Sequence, residues 1–262
     1  MLFLPAYDEE ATVGDVVRRT PNEVDGHPVE VVVVDDGSTD DTAAAAVAAG
    51  AEVLSLGANR GLGAAVRAGL ADAVARGAVA VAFCDADGEY APEELPGLVA
   101  PILAGDADYV VGSRFAGLPR DMRPHRWLGN RVLTLAVRVL TWRWRVGRLT
   151  DGQSGYRALS RSAAASAEVV HDFNYAQVLT LDLLGKGFRY SEVPISYRFR
   201  QHGRSFVRLL PYLRRVVPAV WRELQSSTTK SRNPSRAATQ AEASNVPSSP
   251  SAAAAAQPMA KA

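Results

Sequence analysis

The sequence predicts an α/β fold in which helices cover both faces of a mostly parallel central sheet, and two observations lead to this prediction. Short apolar runs alternate with longer helical patterns through the first 112 residues, which is typical of strands joined by crossover helices. Polar clusters follow the predicted strands, at the position where ligands bind in such sheets. The composition, with 47% hydrophobic and 22% charged residues among 262, excludes fibrous and wholly disordered proteins.

Five strands and four helices are expected in the first half of the chain. The second strand is rich in valine, as expected of a strand that is buried on both faces. Ser38 and the acids after it are expected to cap the second helix, whereas Gly77 ends the third. The first strand is so short that we expect the true start of the protein to lie upstream. The predicted strands are 2–5, 29–34, 51–56, 79–84 and 109–112, and the predicted helices are 10–19, 38–49, 62–76 and 92–103.

Charge divides the chain into an acidic and a basic part. Residues 1–110 carry 5 Arg against 20 Asp and Glu, whereas residues 111–225 carry 19 Arg and 1 Lys against 7 acids. The acidic part could hold a divalent cation and the basic part a phosphate or an anionic membrane. Residues 226–262 contain no Leu, Ile, Phe, Tyr or Trp. We therefore predict a folded domain at 1–225, whose basic part begins at about residue 114, and a disordered tail at 226–262.

Several classes of protein are disfavoured. A single cysteine, Cys84, cannot form an internal disulfide, and the four histidines lack the spacing of zinc ligands. No apolar run is long enough to span a membrane, and the first residues do not resemble a signal peptide. The sequence from Gly61 to Val66 is only a weak match to a dinucleotide-binding motif, and no P-loop motif is present. We expect a cytoplasmic protein that does not bind nucleic acid.

Two pairs of acids follow predicted strands. Asp85 and Asp87 would repel each other unless a cation lies between them, and their oxygens suit Mg²⁺ or Mn²⁺ held jointly with a diphosphate. The alternative is a solvated turn. Asp35 or Asp36 could accept hydrogen bonds from a nucleobase or a ribose. They could also help to cap the next helix, and both interpretations can hold together.

Six short motifs follow one another along the chain: Pro5-Ala-Tyr-Asp-Glu9, Val34-Asp-Asp-Gly-Ser-Thr-Asp40, Asn59-Arg-Gly61, Asp85-Ala-Asp-Gly88, Gly112-Ser-Arg114 and Asp151-Gly-Gln-Ser-Gly-Tyr-Arg157. Their order resembles that of the family 2 inverting glycosyltransferases, which have the GT-A fold. The resemblance covers about residues 2–205. Within the family, the chain resembles the branch that synthesises polyprenyl-phosphate (dolichyl-phosphate) hexoses. Two positions depart from the pattern, since Asp8 stands where Asn is usual and Glu89 where that branch often has Gln.

The resemblance implies a donor side of the site. Asp85, Asp87 and Glu89 are expected to hold Mg²⁺ or Mn²⁺ on the diphosphate of a sugar nucleotide. Asp85, Asp87 and Asp151 are the candidate catalytic residues. The residues expected to bind the nucleotide-sugar are Pro5, Tyr7, Glu9, Asp35, Asp36, Asn59, Arg60, Gly61, Asp85, Ala86 and Arg200.

The basic part supplies candidates for the acceptor side. Arg114, Arg126, Arg131 and Ser154 are expected to bind an acceptor phosphate. Arg200 or Arg204 could neutralise the diphosphate as it leaves. If the acceptor is instead a hydroxyl group, a carboxylate must remove its proton, and Asp151 is the candidate base.

Two amphipathic helices are predicted in the basic part, at 125–146 and 205–224. Arginine-rich helices with tryptophan at the apolar margin can lie in a membrane interface, whereas the alternative is that they cover the sheet. Trp142 and Trp144 lie on the apolar side of the first. Its predicted polar stripe comprises Arg131, Thr134, Arg138, Thr141, Arg145 and Arg148.

The sequence thus leads to one main functional hypothesis and two alternatives. The main hypothesis is a metal-dependent transfer of a hexose, with inversion, from a UDP- or GDP-sugar to a polyprenyl phosphate by a peripheral enzyme at the inner face of the cell membrane. The phosphate oxygen is already anionic, so no general base is needed. The alternatives are transfer to a soluble or polysaccharide hydroxyl with Asp151 as base, and a non-catalytic module that binds sugar nucleotides.

Overall fold

The structure is a computed structural model that describes residues 1–116, 124–141, 149–172 and 175–198, without the side chains of 124–126 and 140. The predicted helix at 205–224 and the predicted tail at 226–262 lie outside these residues, as do Arg200 and Arg204.

A central sheet of seven strands organises the described part of the chain. Its spatial order is β5-β4-β1-β6-β8-β7-β9, and every strand is parallel to the others except β8, which is antiparallel to both of its neighbours. A separate hairpin is formed by β2 and β3. The strands are β1 (Leu2–Ala6), β2 (Glu23–Val24), β3 (His27–Pro28), β4 (Val31–Asp35), β5 (Glu52–Ser55), β6 (Ala80–Phe83), β7 (Tyr109–Ser113), β8 (Arg157–Ser160) and β9 (Tyr190–Pro194).

Helices cover both faces of the sheet, as predicted. One apolar cluster joins α1, α2 and α4 to one face, and a second joins α3, α6 and α7 to the other. The helices are α1 (Val13–Arg19), α2 (Thr42–Ala48), α3 (Leu62–Ala75), α4 (Leu95–Leu103), α5 (Pro124–Thr141), α6 (Arg161–Ser166) and α7 (Ala176–Gly185).

The central strands show why the chain folds in this way. In β1, Leu2 and Leu4 belong to the first cluster and Phe3 to the second, and all three are fully buried. A strand with apolar side chains on both faces requires a layer of helices on each side. The pairing of Ala6 with Asp35 places the carboxyl ends of β1 and β4 at the same edge of the sheet.

Some predicted boundaries were wrong for local reasons. The first helix begins at Val13 rather than residue 10, because a turn closes first on the carbonyl of Glu9, which accepts from the backbone N–H of both Thr12 and Val13. The second begins at Thr42, and the Ser38 hydroxyl accepts from the N–H of Asp8 instead of capping the helix. The fourth begins with a 3₁₀ turn, Pro92–Glu94.

Strand β8 was not predicted. It begins at Arg157, which the sequence analysis placed at the end of a loop motif, and it inserts between β6 and β7. Its four residues carry too little local pattern to distinguish a strand from a loop.

Helix α5 presents a different face from the predicted one. Thr134 and Thr141, predicted to lie in a polar stripe, are 4% and 2% exposed. An apolar stripe of four residues is exposed instead, with spacings of four, three and four residues that place them on one side of the helix. The α5 stripe consists of Leu128, Val132, Leu135 and Val139. Among the described residues, no helix combines the length and the hydrophobicity needed to cross a bilayer.

Candidate active site

The loops after β1 and β4 meet at the carboxyl edge of the sheet. The N–H of Asp8 donates to Ser38 Oγ at 3.1 Å, and the N–H of Thr39 donates to Asp8 Oδ1 at 2.8 Å. Asp8 has a φ of +55°, a left-handed conformation that Asn and Asp adopt more readily than other residues with side chains. Asp8 therefore satisfies the same backbone requirement as the Asn that is usual there, and it ties the two loops together.

Asp36 holds the next loop in place, and Asp35 braces the loop after β4. The two oxygens of Asp36 accept from the N–H groups of Arg60 and Gly61, at 2.7 and 2.8 Å. Asp35 accepts from the N–H of Ser38 at 3.0 Å. Both aspartates are buried, so these hydrogen bonds satisfy carboxylates that would otherwise be costly to bury. Their predicted contact with a nucleoside stays a prediction.

Between these loops, Gly37 allows a close approach of two backbones. It has a φ of +74°, and a Cβ there would lie 2.4 Å from the carbonyl carbon of Ala58. Asn59 and Arg60, predicted to bind the nucleotide-sugar, are exposed beyond this contact.

A second close approach of two backbone segments, at the start of α3, was missed by the sequence analysis. Gly63 donates its N–H to the carbonyl of Asp172 at 2.6 Å, and a Cβ at Gly61 would lie 2.4 Å from that same oxygen. Arg67 forms an ion pair with the Asp172 carboxylate. Arg60, Arg67 and Asp172 line part of a cavity of about 490 Å³. Only the glycines at the start of α3 signalled a close approach in the sequence.

The residues predicted from the first loop lie beside this edge. Pro5 is buried in β1, and Tyr7 and Glu9 are half-buried. The Glu9 carboxylate accepts from the Thr12 hydroxyl at 3.0 Å, and the Glu9 N–H donates to Thr42 Oγ1 at 2.7 Å.

Asp85 and Asp87 follow β6 at the same edge, where both are half-buried, and Ala86 between them is 2% exposed. Asp87 accepts from the N–H of Glu89 at 3.0 Å. Two carboxylates supply hard oxygen ligands but fill only part of the coordination shell of Mg²⁺ or Mn²⁺, which commonly takes phosphate oxygens and water as well. Asp85 and Asp87 therefore fit a cation that is shared with a diphosphate.

Glu89, the predicted third metal ligand, is bonded within the protein, and its role at the metal stays a prediction. Its carboxylate is buried and accepts from the Tyr197 hydroxyl at 2.7 Å. Over the described ranges, no group of three or more His, Cys, Asp or Glu side chains is placed to hold a metal ion by itself. The partner of Glu89 comes from a segment 108 residues away.

Arg114 and Asp151 form a buried ion pair. Nε and Nη2 of Arg114 donate to the two carboxylate oxygens at 2.7 and 2.9 Å, and the two residues are 4% and 0% exposed. Burial alone would lower the pKa of Arg114, but Tyr90 and Asp151 together raise it above its usual value. This arrangement argues against the predicted roles of Arg114 as an acceptor-phosphate ligand and of Asp151 as a base, because each group is already bound to the other and shielded from solvent.

The loop that contains Asp151, residues 149–156, is held from several sides. The Glu192 carboxylate accepts from the N–H groups of Thr150 and Asp151, at 2.8 and 3.1 Å. The fully buried Arg157 donates to the carbonyls of Ser154 and Gly152, at 2.8 and 3.2 Å. Arg157 and Glu192 are structural residues of the site that the sequence analysis did not identify as such.

Ser154 and Arg131, two further acceptor candidates, have opposite environments. Ser154 is fully buried and its hydroxyl accepts from the N–H of Tyr156, which argues against the predicted contact with phosphate. Arg131 is exposed on α5, where its guanidinium lies over the rings of Phe115 and Trp127, with centroid distances of 5.8 and 5.5 Å. The side chain of Arg126 lies outside the described residues.

The chain is similar to known glycosyltransferases over most of its length. The family described as "Glycosyl transferase family 2" matches residues 1–166. A polyprenol monophosphomannose synthase from Mycolicibacterium smegmatis is 30% identical over 222 residues, which cover 78% of this chain and 79% of the relative. A UDP-N-acetylglucosamine–dolichyl-phosphate N-acetylglucosaminyltransferase from Methanococcus voltae is 33% identical over 180 residues, which cover 62% of this chain and 69% of the relative.

The fold matches that of a solved glycosyltransferase structure, which confirms the predicted GT-A fold. This is glucosyl-3-phosphoglycerate synthase from Mycobacterium tuberculosis in complex with Mn²⁺, UDP-glucose and phosphoglyceric acid, with a TM-score of 0.64 and 27% identity. The match covers 86% of this chain and 79% of that chain. Together with the ordered motifs at the carboxyl edge of the sheet, these similarities show that the chain is a glycosyltransferase and belongs to glycosyl transferase family 2.

Proposed function

We propose that this protein transfers a hexose from a UDP- or GDP-sugar to a polyprenyl phosphate at the inner surface of the cell membrane. The observation that carries the proposal is that α5, which bears the exposed α5 stripe, is bonded to the 149–156 loop. Thr134 of α5 accepts from the N–H of Gly152 at 3.2 Å. A helix suited to a lipid surface is thereby attached to the wall of the candidate site, in a chain whose named relatives act on polyprenol and dolichyl phosphates.

On the donor side, the residues of the chain bind and orient the sugar nucleotide. The loops after β1, β4 and β5 are bonded to one another and would form a preformed wall for the nucleoside, while Asp85 and Asp87 would hold Mg²⁺ or Mn²⁺. A cation held there would neutralise the negative charge that develops on the departing diphosphate. We infer that the anomeric carbon is attacked directly and that its configuration is inverted.

On the acceptor side, the buried ion pair favours a phosphate acceptor over a hydroxyl. A phosphate oxygen is already anionic, so the reaction needs no base. The carboxylate of Asp151 is held by Arg114 and is not needed to remove a proton. Catalysis by the chain then consists mainly of placing the two substrates in line.

The surface of α5 supports action at a membrane. Val132 and Val139 are 59% and 67% exposed, and Arg131 and Arg138 are exposed beside them. Apolar residues next to arginines suit a helix that lies in the interface of an anionic bilayer. The protein would bind as a peripheral enzyme.

The direct test is a transfer assay. The protein is incubated with Mn²⁺, undecaprenyl phosphate and labelled UDP-glucose, UDP-N-acetylglucosamine or GDP-mannose, and lipid-linked sugar is extracted. We expect product with at least one donor, loss of product in EDTA, and a loss of about 10²-fold in Asp87→Asn, as for removal of a group that stabilises transition-state charge. Asp108→Asn, at the opposite edge of the sheet, is the matched control. Absence of lipid-linked product with every donor would contradict the proposal.

Membrane binding is tested separately by flotation with vesicles that contain anionic lipid. Val132→Glu and Val139→Glu should reduce the fraction that floats. Val47→Glu, at a valine of α2 that is 60% exposed, should not. Equal effects of the three substitutions would show that the α5 stripe does not contact lipid.

A second candidate function is transfer to a soluble hydroxyl acceptor that carries a phosphate. It is favoured by the similarity to the structure that contains UDP-glucose and phosphoglyceric acid. Supplying 3-phosphoglycerate in place of the lipid distinguishes the two, because the product is then water-soluble. Binding of a donor without turnover on either acceptor would favour a non-catalytic module.

A further inference from the structure

Gly155 lies in contact with a carboxylate of the donor site, although it belongs to the 149–156 loop on the acceptor side. A Cβ placed on Gly155 would lie 2.6 Å from Asp85 Oδ2 and 3.1 Å from Cε2 of Tyr90. The φ of Gly155 is not positive, so its backbone conformation is open to any residue. Glycine is therefore required here for space.

Two buried tyrosines hold the backbone of Gly155. Its N–H donates to Tyr90 Oη at 2.7 Å, and its carbonyl accepts from the Tyr175 hydroxyl at 3.4 Å. Both tyrosines are 3% exposed. Burial raises the pKa of each hydroxyl, and the negative charge of Asp85 raises it further. Both hydroxyls therefore stay protonated and neutral near physiological pH.

The tyrosines are in turn fixed by the elements next to Asp85. The ring of Tyr175 packs edge-on against Phe83, at the end of β6, with the centroids 5.4 Å apart. Tyr90 lies between the rings of Tyr156 and Tyr197, with centroid distances of 5.9 and 5.8 Å. These contacts leave neither tyrosine room to move without moving the strand or the loop that carries the site.

We propose that the hydrogen bonds of Gly155 with Tyr90 and Tyr175 hold Gly155 against Asp85. The 149–156 loop would thereby orient the Asp85 carboxylate for binding the divalent cation. Tyr90, Tyr175 and Gly155 are then positioning residues, and they link the acceptor side of the site to the donor side. This inference rests on the proposed role of Asp85 as a metal ligand.

The test measures Mn²⁺ affinity by the loss of the free Mn²⁺ signal in electron paramagnetic resonance, with saturating UDP and, in a parallel series, GDP. Gly155→Ala should weaken Mn²⁺ binding about 10-fold or more, the usual effect of disturbing a group that orients a metal ligand. Gly152→Ala is the matched control, because a Cβ there would meet its nearest atoms only at 3.6 Å or more. It should keep the wild-type Mn²⁺ affinity.

The outcomes separate this inference from the proposed function. If Gly155→Ala binds Mn²⁺ as tightly as the wild-type protein, the inference is overturned and the proposed function stands. If the wild-type protein binds no Mn²⁺ with either nucleotide, both fail. Should Gly155→Ala not fold, as judged by circular dichroism, Tyr90→Phe decides: weaker Mn²⁺ binding in a folded variant supports the inference, and unchanged binding overturns it.

Discussion

The buried pair of Arg114 and Asp151 leads to a strong prediction about stability. Asp151→Asn keeps the size of the side chain but removes its charge, and it leaves a guanidinium that is 4% exposed without a counter-charge. Breaking a buried ion pair by neutralising one partner costs about 3–5 kcal/mol. We therefore expect Asp151→Asn to destabilise the folded protein by this amount.

The free energy of unfolding is measured by urea denaturation. With an m-value of about 2 kcal/mol/M, the expected loss lowers the midpoint by about 1.5–2.5 M. Asp108→Asn is a matched control, because Arg189 donates to both oxygens of Asp108 with a similar geometry, at 2.8 and 3.1 Å. In this pair, however, the side chain of Arg189 is 56% exposed. Solvent screens that pair, so its loss should be much smaller.

A double variant completes the test. Arg114→Met with Asp151→Leu removes both charges, and it should recover a large part of the stability that Asp151→Asn loses. Equal losses in Asp151→Asn and Asp108→Asn would refute the reasoning, since the pair at 114 and 151 would then behave as a solvated one. The result also bears on catalysis, because lost activity in Asp151→Asn implicates a base only where the variant remains folded.

Two further predictions concern packing and pH. Gly69→Ala in α3 should destabilise the protein by about 1–3 kcal/mol in urea denaturation, because the new Cβ would lie 2.4 Å from the ring of Phe3. Gly97→Ala in α4 should be neutral or stabilising, because a Cβ there would meet no atom within 4 Å. Equal effects of the two substitutions would contradict this reasoning. The hydrogen bond from Arg189 lowers the pKa of Asp108 below its ordinary value of 3.8. The stability that this bond confers is therefore fully present above the ordinary pKa, and it is lost as the pH falls through the folded-state pKa. Unfolding at a series of acid pH values should show a steeper decline in the wild-type protein than in Asp108→Asn, and parallel curves would contradict the assignment.

The order of the helices and of the central-sheet strands in the first half of the chain was predictable because its signals are local. The valines of β4 and the apolar residues of β1 indicate buried strands wherever they lie in the chain. Gly77, with a φ of +78°, follows the third helix as expected. By contrast, β8 forms because it pairs with both β6 and β7 in the folded protein, and its four residues carry no local pattern that indicates this pairing.

The gathering of the polar motifs at one edge of the sheet was predictable for the same reason. In a parallel sheet, residues that follow strands gather at one edge, so Asp36, Asp85 and the residues around Asn59 were expected to lie together. The roles of individual acids were harder to predict. Glu89 is bound by Tyr197, and Asp151 by Arg114, and in both pairs the partner lies in a distant segment.

The sequence alone therefore determined the α/β architecture, the edge of the sheet that carries the polar motifs, and the resemblance to family 2 glycosyltransferases, because each depends on periodicity or on the order of residues along the chain. Only the tertiary structure decided which carboxylates lie half-buried at the edge of the sheet and which are buried against a distant partner, and which side of α5 is exposed. The physical reason is that burial and hydrogen bonding are set by segments that meet only when the chain is folded.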